Sequence, residues 1–370
     1  MAPEPSSRAL RLLVNGLHAK TGGGLTYLRN MLPLLAAADG VELHLCLHDG
    51  QVGLSEDAMD GVTVHRLSFK SGFWRLPIAE QVHVPRLARR IGADVTFSPA
   101  NYGPILAPGS VILLRNALGV AFVEKRPLKM AYWALVTIGT ALSLLACRRA
   151  IAVSEFARRS AGVIPWSRDR IAVIHHGVSA TFSPGPGERD GFLLAVSDLY
   201  VQKNIDNLIL ALARLRDARP DIMLKIAGRP VDRDYEDSLR RLVGRLGLEG
   251  HVRFLGSVSE GELLELYRRC AVFVFPSTVE TFGNPLVEAM ACGAPIASSN
   301  AAAMPEVLGE AALFFDPASI DDMAAALARL LDDAELCREL GCKAAVRARQ
   351  FSWQRTAEAT LSVIREAARP

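Results

Sequence analysis

The chain has 370 residues, half of them apolar and 22% charged, enough for two domains that each bury a core. Its formal net charge of +3 is split: residues 1–185 hold 20 Lys and Arg against 12 Asp and Glu, net +8, and the remainder 22 against 27, net −5. This balance, with no aromatic-basic platform, excludes nucleic-acid binding. The basic half points to an anionic partner such as a membrane surface. Cys46, Cys147, Cys270, Cys292, Cys337 and Cys342 form no CxxC pair, which excludes a disulfide framework and a zinc site and predicts reduced thiols in the cytoplasm. Met1–Ser7 lacks the basic-then-apolar pattern of a signal peptide and is expected to be a short disordered lead.

The apolar run Leu10–Asn15 predicts the first strand, followed by the glycine loop Thr21–Gly24 and a helix from about Leu25 to Ala38. Further strands are predicted at Val41–Leu47, Val62–Arg66, Asp94–Phe97, Val111–Leu114 and Ile151–Val153. Met130–Cys147 is eighteen residues without a charge, flanked by Arg126, Lys129, Arg148 and Arg149. Its length suits a membrane span, but strands predicted on both sides of it must share one sheet, so spanning is rejected. A buried core helix and a helix docked on the membrane surface remain. Ser154 is placed to cap the helix after Val153.

The turn-rich Phe182–Gly187 marks a domain boundary. A second series follows: strands at Phe192–Val196, Met223–Ala227, Val252–Phe254 and Val272–Phe275, with helices near Asn204–Arg216, Tyr235–Leu246 and Gly261–Arg269. Alternation of strand and helix in both halves predicts α/β architecture with two doubly wound parallel sheets. The expected domains are residues 1–185, 186–352 and a last helix over 353–370.

The most informative segment is Glu280-Thr281-Phe282-Gly283-Asn284-Pro285-Leu286-Val287-Glu288. It lies between an apolar strand and a helical run, with Gly283 free to turn and Pro285 suited to a first helical position. Helix-N-terminal amides suit a phosphate, and the carboxylates of Glu280 and Glu288 suit sugar hydroxyls. Glu288 stands in an Ala/Met/Val-rich stretch, where an unpaired charge is costly. The loop Ser197–Asn204 offers Lys203 as a fixed cation. Ser98-Pro-Ala-Asn-Tyr-Gly-Pro104, at another strand's end, is a further candidate ligand loop. Gly22–Gly24 fits neither the GxxxxGK[ST] nor the GxGxxG pattern. Asp232-Arg233-Asp234 is formally a DxD but opens a helix, so no metal is expected there.

Phe273–Ser277, the two glutamates, Glu288–Pro295 and Met304–Val307 together resemble the signature of retaining glycosyltransferases of family 4, which have the GT-B fold. The resemblance implies two Rossmann-like domains facing across a cleft, with the last helix returning to the first domain. It implies catalytic roles for Glu280, on hydroxyls of the transferred sugar, for Lys203, on the diphosphate, and for Asn116. The donor would meet Glu288 at its ribose, the backbone near Phe282, Gly283 and Asn284, the loop residues Gly23 and Gly24, and Val258 at its base. Asp198-Leu199 replaces the family's Arg-Leu, so leaving-group stabilisation is expected to rest more on Lys203, supplemented by Arg229. Arg115-Asn116 stands where many members carry a His. Asn101, Tyr102 and Arg115 are expected at the acceptor. His175 and His176 match a structural turn.

The implied function is metal-independent, cofactor-free transfer of a hexosyl unit, mannose by family habit, from a GDP- or UDP-linked sugar. The acceptor would be a glycan or lipid-linked chain of a bacterial surface polysaccharide such as lipopolysaccharide. The implied location is the inner face of the cell membrane, as a peripheral protein. The rival readings are a nucleotide-sugar epimerase of the same shape, which would need acid/base groups, and a non-catalytic scaffold. A glycosidase pair is set aside because the setting of the two glutamates favours a nucleotide.

Overall fold

The structure is a computed structural model, and it describes residues 8–19, 22–51, 53–54, 59–69, 75–115, 127–161, 169–187 and 189–369. The chain divides into two compact units. The first comprises Met1–Leu118, Pro127–Gly177 and Trp353–Pro370, and the second is built on Val178–Ser352.

The first unit holds β1 (Leu10–Asn15), β2 (Val41–His48), β3 (Thr63–Leu67), β4 (Val95–Ser98), β5 (Val111–Leu114), β6 (Arg149–Ala152) and β7 (Ile171–Val173). They form one parallel sheet in the order β3-β2-β1-β4-β5-β6-β7. Its helices are α1 (Gly23–Ala36), α2 (Arg75–Ile91), α3 (Pro127–Ala146), α4 (Glu155–Ala161) and the chain's last helix, Trp353–Ala368, which packs on α1. Strands covered on both faces need near-continuous apolar runs. Leu12, Leu13 and Val14 of β1 and Val111–Leu114 of β5 are accordingly buried.

The second unit holds β8 (Phe192–Val196), β9 (Met223–Ala227), β10 (Val252–Gly256), β11 (Val272–Phe275), β12 (Ile296–Ser299) and β13 (Leu313–Phe315), also parallel, in the order β10-β9-β8-β11-β12-β13. Its helices are α5 (Ile205–Arg216), α6 (Arg233–Arg245), α7 (Glu260–Arg269), α8 (Asn284–Ala291), α9 (Met304–Leu308), α10 (Ile320–Asp332) and α11 (Ala334–Ala348); the last helix of the chain is then α12. α5 buries Ile205, Leu208, Ile209, Leu212 and Leu215, spaced three and four apart, on one face against this core. Truncating one of them to Ala would cost about 2–5 kcal/mol. α7 starts at a capping box in which Ser259 Oγ accepts from Glu262 N and the Glu262 carboxylate accepts from Ser259 N.

Arg189 ties the far edge of this unit. Its guanidinium donates to the carbonyls of Tyr267, Arg268 and Cys270 at 3.0, 3.0 and 3.1 Å and to that of Gly293 at 2.6 Å, so one cation serves the C-terminal ends of α7 and α8. A cavity of about 580 Å³ beside Arg189, lined also by Cys292, Gly293 and Cys337, lies at the start of β11.

Both sheets have the predicted doubly wound topology. Unanticipated strands are β7, β12 and β13; two have three residues, and β12 ends in two serines. The strand order reverses between β1 and β4 in the first sheet and between β8 and β11 in the second. Open α/β sheets form a ligand crevice at such points, beyond the carboxyl ends of the strands.

Of the two readings left open for Met130–Cys147, the fully buried one is corrected. α3 buries Val136, Thr140, Ser143 and Leu144, but Met130, Leu135, Ile138, Leu142 and Leu145 are each about half exposed. A helix lying on a single layer covers only one of its faces, and an apolar sequence leaves the other face apolar. Among the described residues no helix is long and apolar enough to cross a membrane.

Candidate active site

In the second unit, the loops after β8 and β11 meet at the switch point. The chain leaves β8 and makes a single 3-10 turn, Val201–Lys203. Asn204 then takes a left-handed conformation, φ 58°, which Asn tolerates better than most residues. Its side-chain amide donates to the carbonyls of Pro276 at 3.0 Å and Pro317 at 2.9 Å. Thr278 N donates to Gln202 O at 2.9 Å. The two loops are thereby laced together with Lys203 at the seam.

Lys203 Nζ lies 2.5 Å from Glu280 Oε2 and 5.7 Å from the centre of the Phe275 ring. The two side chains are only 17% and 21% exposed, so the pair sits where electrostatic interactions are stronger than in bulk water. Glu280 Oε1 makes no hydrogen bond among the described residues and can still accept from a hydroxyl. Gly283, at φ 84° and ψ 73°, caps α8; a Cβ there would lie 2.9 Å from Leu286 Cδ1. Pro285 occupies the first turn, as expected. Asn284 opens the helix and is partly buried. The Phe282 side chain belongs to the core, its ring edge-on to Phe351 at 5.7 Å.

Glu288 lies on α8, where its Oε2 accepts from the Tyr267 hydroxyl at 2.9 Å. Burial pushes its carboxyl up to about 7, against the opposing effect of that hydrogen bond. It is thus poised between its neutral and charged forms near neutral pH.

Arg229, in the loop after β9, is held by Asp198 in the loop after β8. Its Nε and Nη2 reach the two carboxylate oxygens at 3.1 and 2.5 Å, and its backbone N donates to Oδ1 at 3.1 Å. Gly228 permits this: φ is 150°, and a Cβ would strike the Ser197 carbonyl. Asp198 therefore anchors a cation at the mouth of β8. Val258 is partly buried in the loop between β10 and α7. Asp232 and Asp234 begin α6, and among the described residues no cluster could hold a metal.

In the first unit, the loops after β1, β4 and β5 converge at the other switch point. Asn101 Oδ1 accepts from Arg115 N at 2.9 Å. The buried Arg115 guanidinium lies over Gly24, where a Cβ would collide with it. Close approach of this guanidinium explains the glycine. Burial lowers the pKa of Arg115. Gly23 is the exposed first residue of α1. Asn116 lies outside the described residues. His176 is buried, stacked on Trp353 and 5.2 Å from Tyr27, in an aromatic cluster. Ser154 Oγ accepts from Ala157 N and caps α4.

Two residues here escaped the sequence reading. Glu80, fully buried on α2, accepts from Asn15 Nδ2 at 2.5 Å, and its other oxygen lies 3.0 Å from His18 Nε2. The His18 ring meets Tyr102 edge-on at 4.9 Å. An acid on an otherwise apolar helix face was the one available signal. Asn101, Tyr102, Arg115, Gly24 and this pair gather in the first unit, while Lys203, Glu280, Glu288, Phe282, Gly283, Asn284, Arg229 and Val258 belong to the second.

Fold and site define the class: an α/β protein of the GT-B fold, with two doubly wound parallel sheets and a cation–carboxylate pair at the switch point of the second. Comparison with known proteins makes this specific. Residues 180–347, which span nearly all of the second unit, match the family described as glycosyl transferases group 1. The chain is 32% identical over 235 residues to the O-antigen chain mannosyltransferase B of Escherichia coli, covering 60% of this chain and 61% of that protein. It is 35% identical over 207 residues to the MMP alpha-(1->4)-mannosyltransferase of Mycolicibacterium hassiacum, covering 54% and 49%. These matches span about half to three fifths of the length of those relatives. Sucrose-phosphate synthase of Thermosynechococcus elongatus shares the fold over 96% of this chain and 98% of its own, with a TM-score of 0.80 at 20% identity.

Proposed function

We infer that this chain is a retaining hexosyltransferase of family 4. It takes its sugar, with mannose favoured, from a GDP- or UDP-linked donor without a metal ion. The acceptor is a glycan or lipid-linked chain of a bacterial surface polysaccharide, met at the inner face of the cell membrane. The observation that carries this reading is the Lys203–Glu280 pair beside the Gly283 turn. Departure of a nucleoside diphosphate leaves negative charge that a fixed cation and helix-N-terminal amides stabilise. Glu280 Oε1 is available to a sugar hydroxyl, and Glu288 to the ribose diol. The mannosyltransferase names of two relatives support the choice of sugar.

The test is release of nucleoside diphosphate from a panel of GDP-, UDP- and ADP-sugars, with and without EDTA, in the presence of membrane extract. One donor should be consumed in EDTA, and Glu280→Ala should abolish release. Absence of release from every donor would overturn the reading. The anomeric configuration of the product decides retention.

Membrane contact rests on one face of the first unit. Leu135, Ile138, Leu142 and Leu145 of α3 are exposed, as are Ile78 and Val82 of α2 and Ile105 and Leu106 of the loop between β4 and β5. Hydrogen bonds from that loop to Gln81 and Ser143 hold these elements side by side, and α2 adds the exposed Arg75, Arg86, Arg89 and Arg90. Apolar side chains with a basic border suit an anionic bilayer. Vesicles rich in phosphatidylglycerol should sediment the protein and phosphatidylcholine vesicles should not. Ile138→Glu with Leu142→Glu should abolish the difference; unchanged sedimentation would sink the membrane assignment.

A further inference from the structure

We propose that His18 and Glu80 form a hydroxyl-recognition dyad at the switch point of the first sheet, in which Glu80 keeps Nε2 protonated and His18 Nδ1 accepts a hydrogen bond from a hydroxyl of the glycosyl acceptor. The inference rests on the transferase reading and adds to it the residue that meets the acceptor.

The geometry begins with Glu80. Its side chain is fully buried on a helix that otherwise buries Val84, Pro85, Leu87 and Ala88. Burying a carboxylate is costly unless its oxygens are satisfied. Here one oxygen takes the Asn15 amide at 2.5 Å and the other faces His18 Nε2 at 3.0 Å. Asn15 is itself fixed, since its Nδ2 also reaches Ser98 Oγ at 3.2 Å and its Oδ1 accepts from Leu17 N at 3.4 Å. Asn15 ends β1 and Ser98 ends β4, so this lattice spans the pair of strands between which the order reverses. The partner of one imidazole nitrogen decides the state of the other. A carboxylate at Nε2 is an acceptor only, so Nε2 carries the proton and Nδ1 presents a lone pair.

Among the described residues Nδ1 has no hydrogen-bond partner, and the side chain keeps 14% of its surface exposed. The ring stands edge-on to Tyr102, whose neighbour Asn101 is tied to Arg115. An aromatic face beside a hydrogen-bond acceptor is a surface for a sugar: the ring covers its C–H face and the lone pair takes a hydroxyl. Were His18 only a packing residue, an apolar side chain would fill the position without requiring a buried charge beneath it. Glu80 acts through His18 and is a positioning residue.

The experiment uses the full chain and the donor identified by the panel. Diphosphate release is measured without acceptor and with rising amounts of membrane extract. His18→Phe should raise the acceptor KM about tenfold, the value of one lost hydrogen bond, and by more than any change in acceptor-independent release. Glu80→Gln keeps the shape and the Asn15 contact, but its amide donates to Nε2 and moves the ring proton to Nδ1. It should match His18→Phe while its melting temperature stays near wild type. His18→Asn, which restores an acceptor oxygen close to Nδ1, should recover part of the loss. Wild-type acceptor KM in both Glu80→Gln and His18→Phe overturns the proposal. So does a parallel fall of both reactions with a lowered melting temperature. Nitrogen-15 NMR of the labelled wild-type ring reads the tautomer independently: Nδ1 bare supports the dyad and Nδ1 protonated refutes it. A wild-type chain that releases no diphosphate while its Nδ1 is bare would overturn the transferase reading and leave the dyad standing.

Discussion

The two switch points are built on the same topological device and carry opposite chemistry. In the second unit the seam is crossed by full charges, Lys203 against Glu280 at 2.5 Å, with Arg229 and Asp198 paired nearby. In the first unit it is crossed by a ring contact, His18 on Tyr102, and by the lattice of Asn15 and Ser98, with the charges of Glu80 and Arg115 sunk beneath. A crevice lined by paired, largely buried charge fits a diphosphate whose charge grows during reaction. A crevice presenting an aromatic face and a lone pair fits neutral hydroxyls. Strand order fixes where a ligand can bind; the loop residues decide what kind.

The contrast breaks most sharply at Lys203. Lys203→Ala should lower donor turnover about 100-fold or more while the fold persists, as expected for loss of one group aimed at developing charge. Turnover within a few-fold of wild type would remove the charged seam from the chemistry. A smaller effect separates the two members of the other pair. Asp198→Ala and Arg229→Ala should each raise the donor KM about tenfold, and the double variant should be no worse than either single one, because both remove one positioned cation. Additive losses would mean that Asp198 and Arg229 act independently. The smallest effect belongs to Glu288. Its carboxyl is raised from 4.5 to about 7 in the fold, so between those values the unfolded chain gives up a proton that the folded chain keeps. Stability therefore declines as pH rises through that window, and Glu288→Gln should flatten the slope. A ribose diol donates to the charged form, so donor affinity should rise by less than tenfold per unit as pH climbs through 7. An affinity indifferent to pH between 6 and 8, about one unit either side of the shifted value, would take Glu288 out of the nucleotide site.

Much of this was legible before the structure. Apolar runs such as Val111–Leu114 and Val272–Phe275 read as buried parallel strands, and helices such as those near Asn204–Arg216 and Gly261–Arg269 followed from their apolar spacing, while α2, α10 and α11 were not predicted. Ile296–Ser299 was missed because its serines interrupt the apolar signal, and Leu313–Phe315 because three residues carry too little of it. Lys203 and Glu280 were legible because each sits in a local pattern of strand, turn and helix. The left-handed Asn204 explains why that lysine is followed by a residue tolerant of positive φ. Asp198 was readable only as a missing arginine; its meaning lay in Arg229, 31 residues on. His18 and Glu80 are 62 residues apart and belong to no motif, so only the packing of α2 against the end of β1 brings them together. The exposed stripe of α3 was equally hidden, since an apolar helix sequence does not say which of its faces another layer will cover.

The Arg189 clamp has a consequence for how the second unit comes apart. Because one guanidinium terminates both α7 and α8, neither helix can fray from its C-terminal end without breaking bonds that also hold the other. Amide exchange in the last turns of the two helices should therefore proceed through one shared opening event rather than two, and Arg189→Met should uncouple them. Glu288 rides on α8 and its partner Tyr267 on α7, so the hydrogen bond between them belongs to a single cooperative unfolding unit.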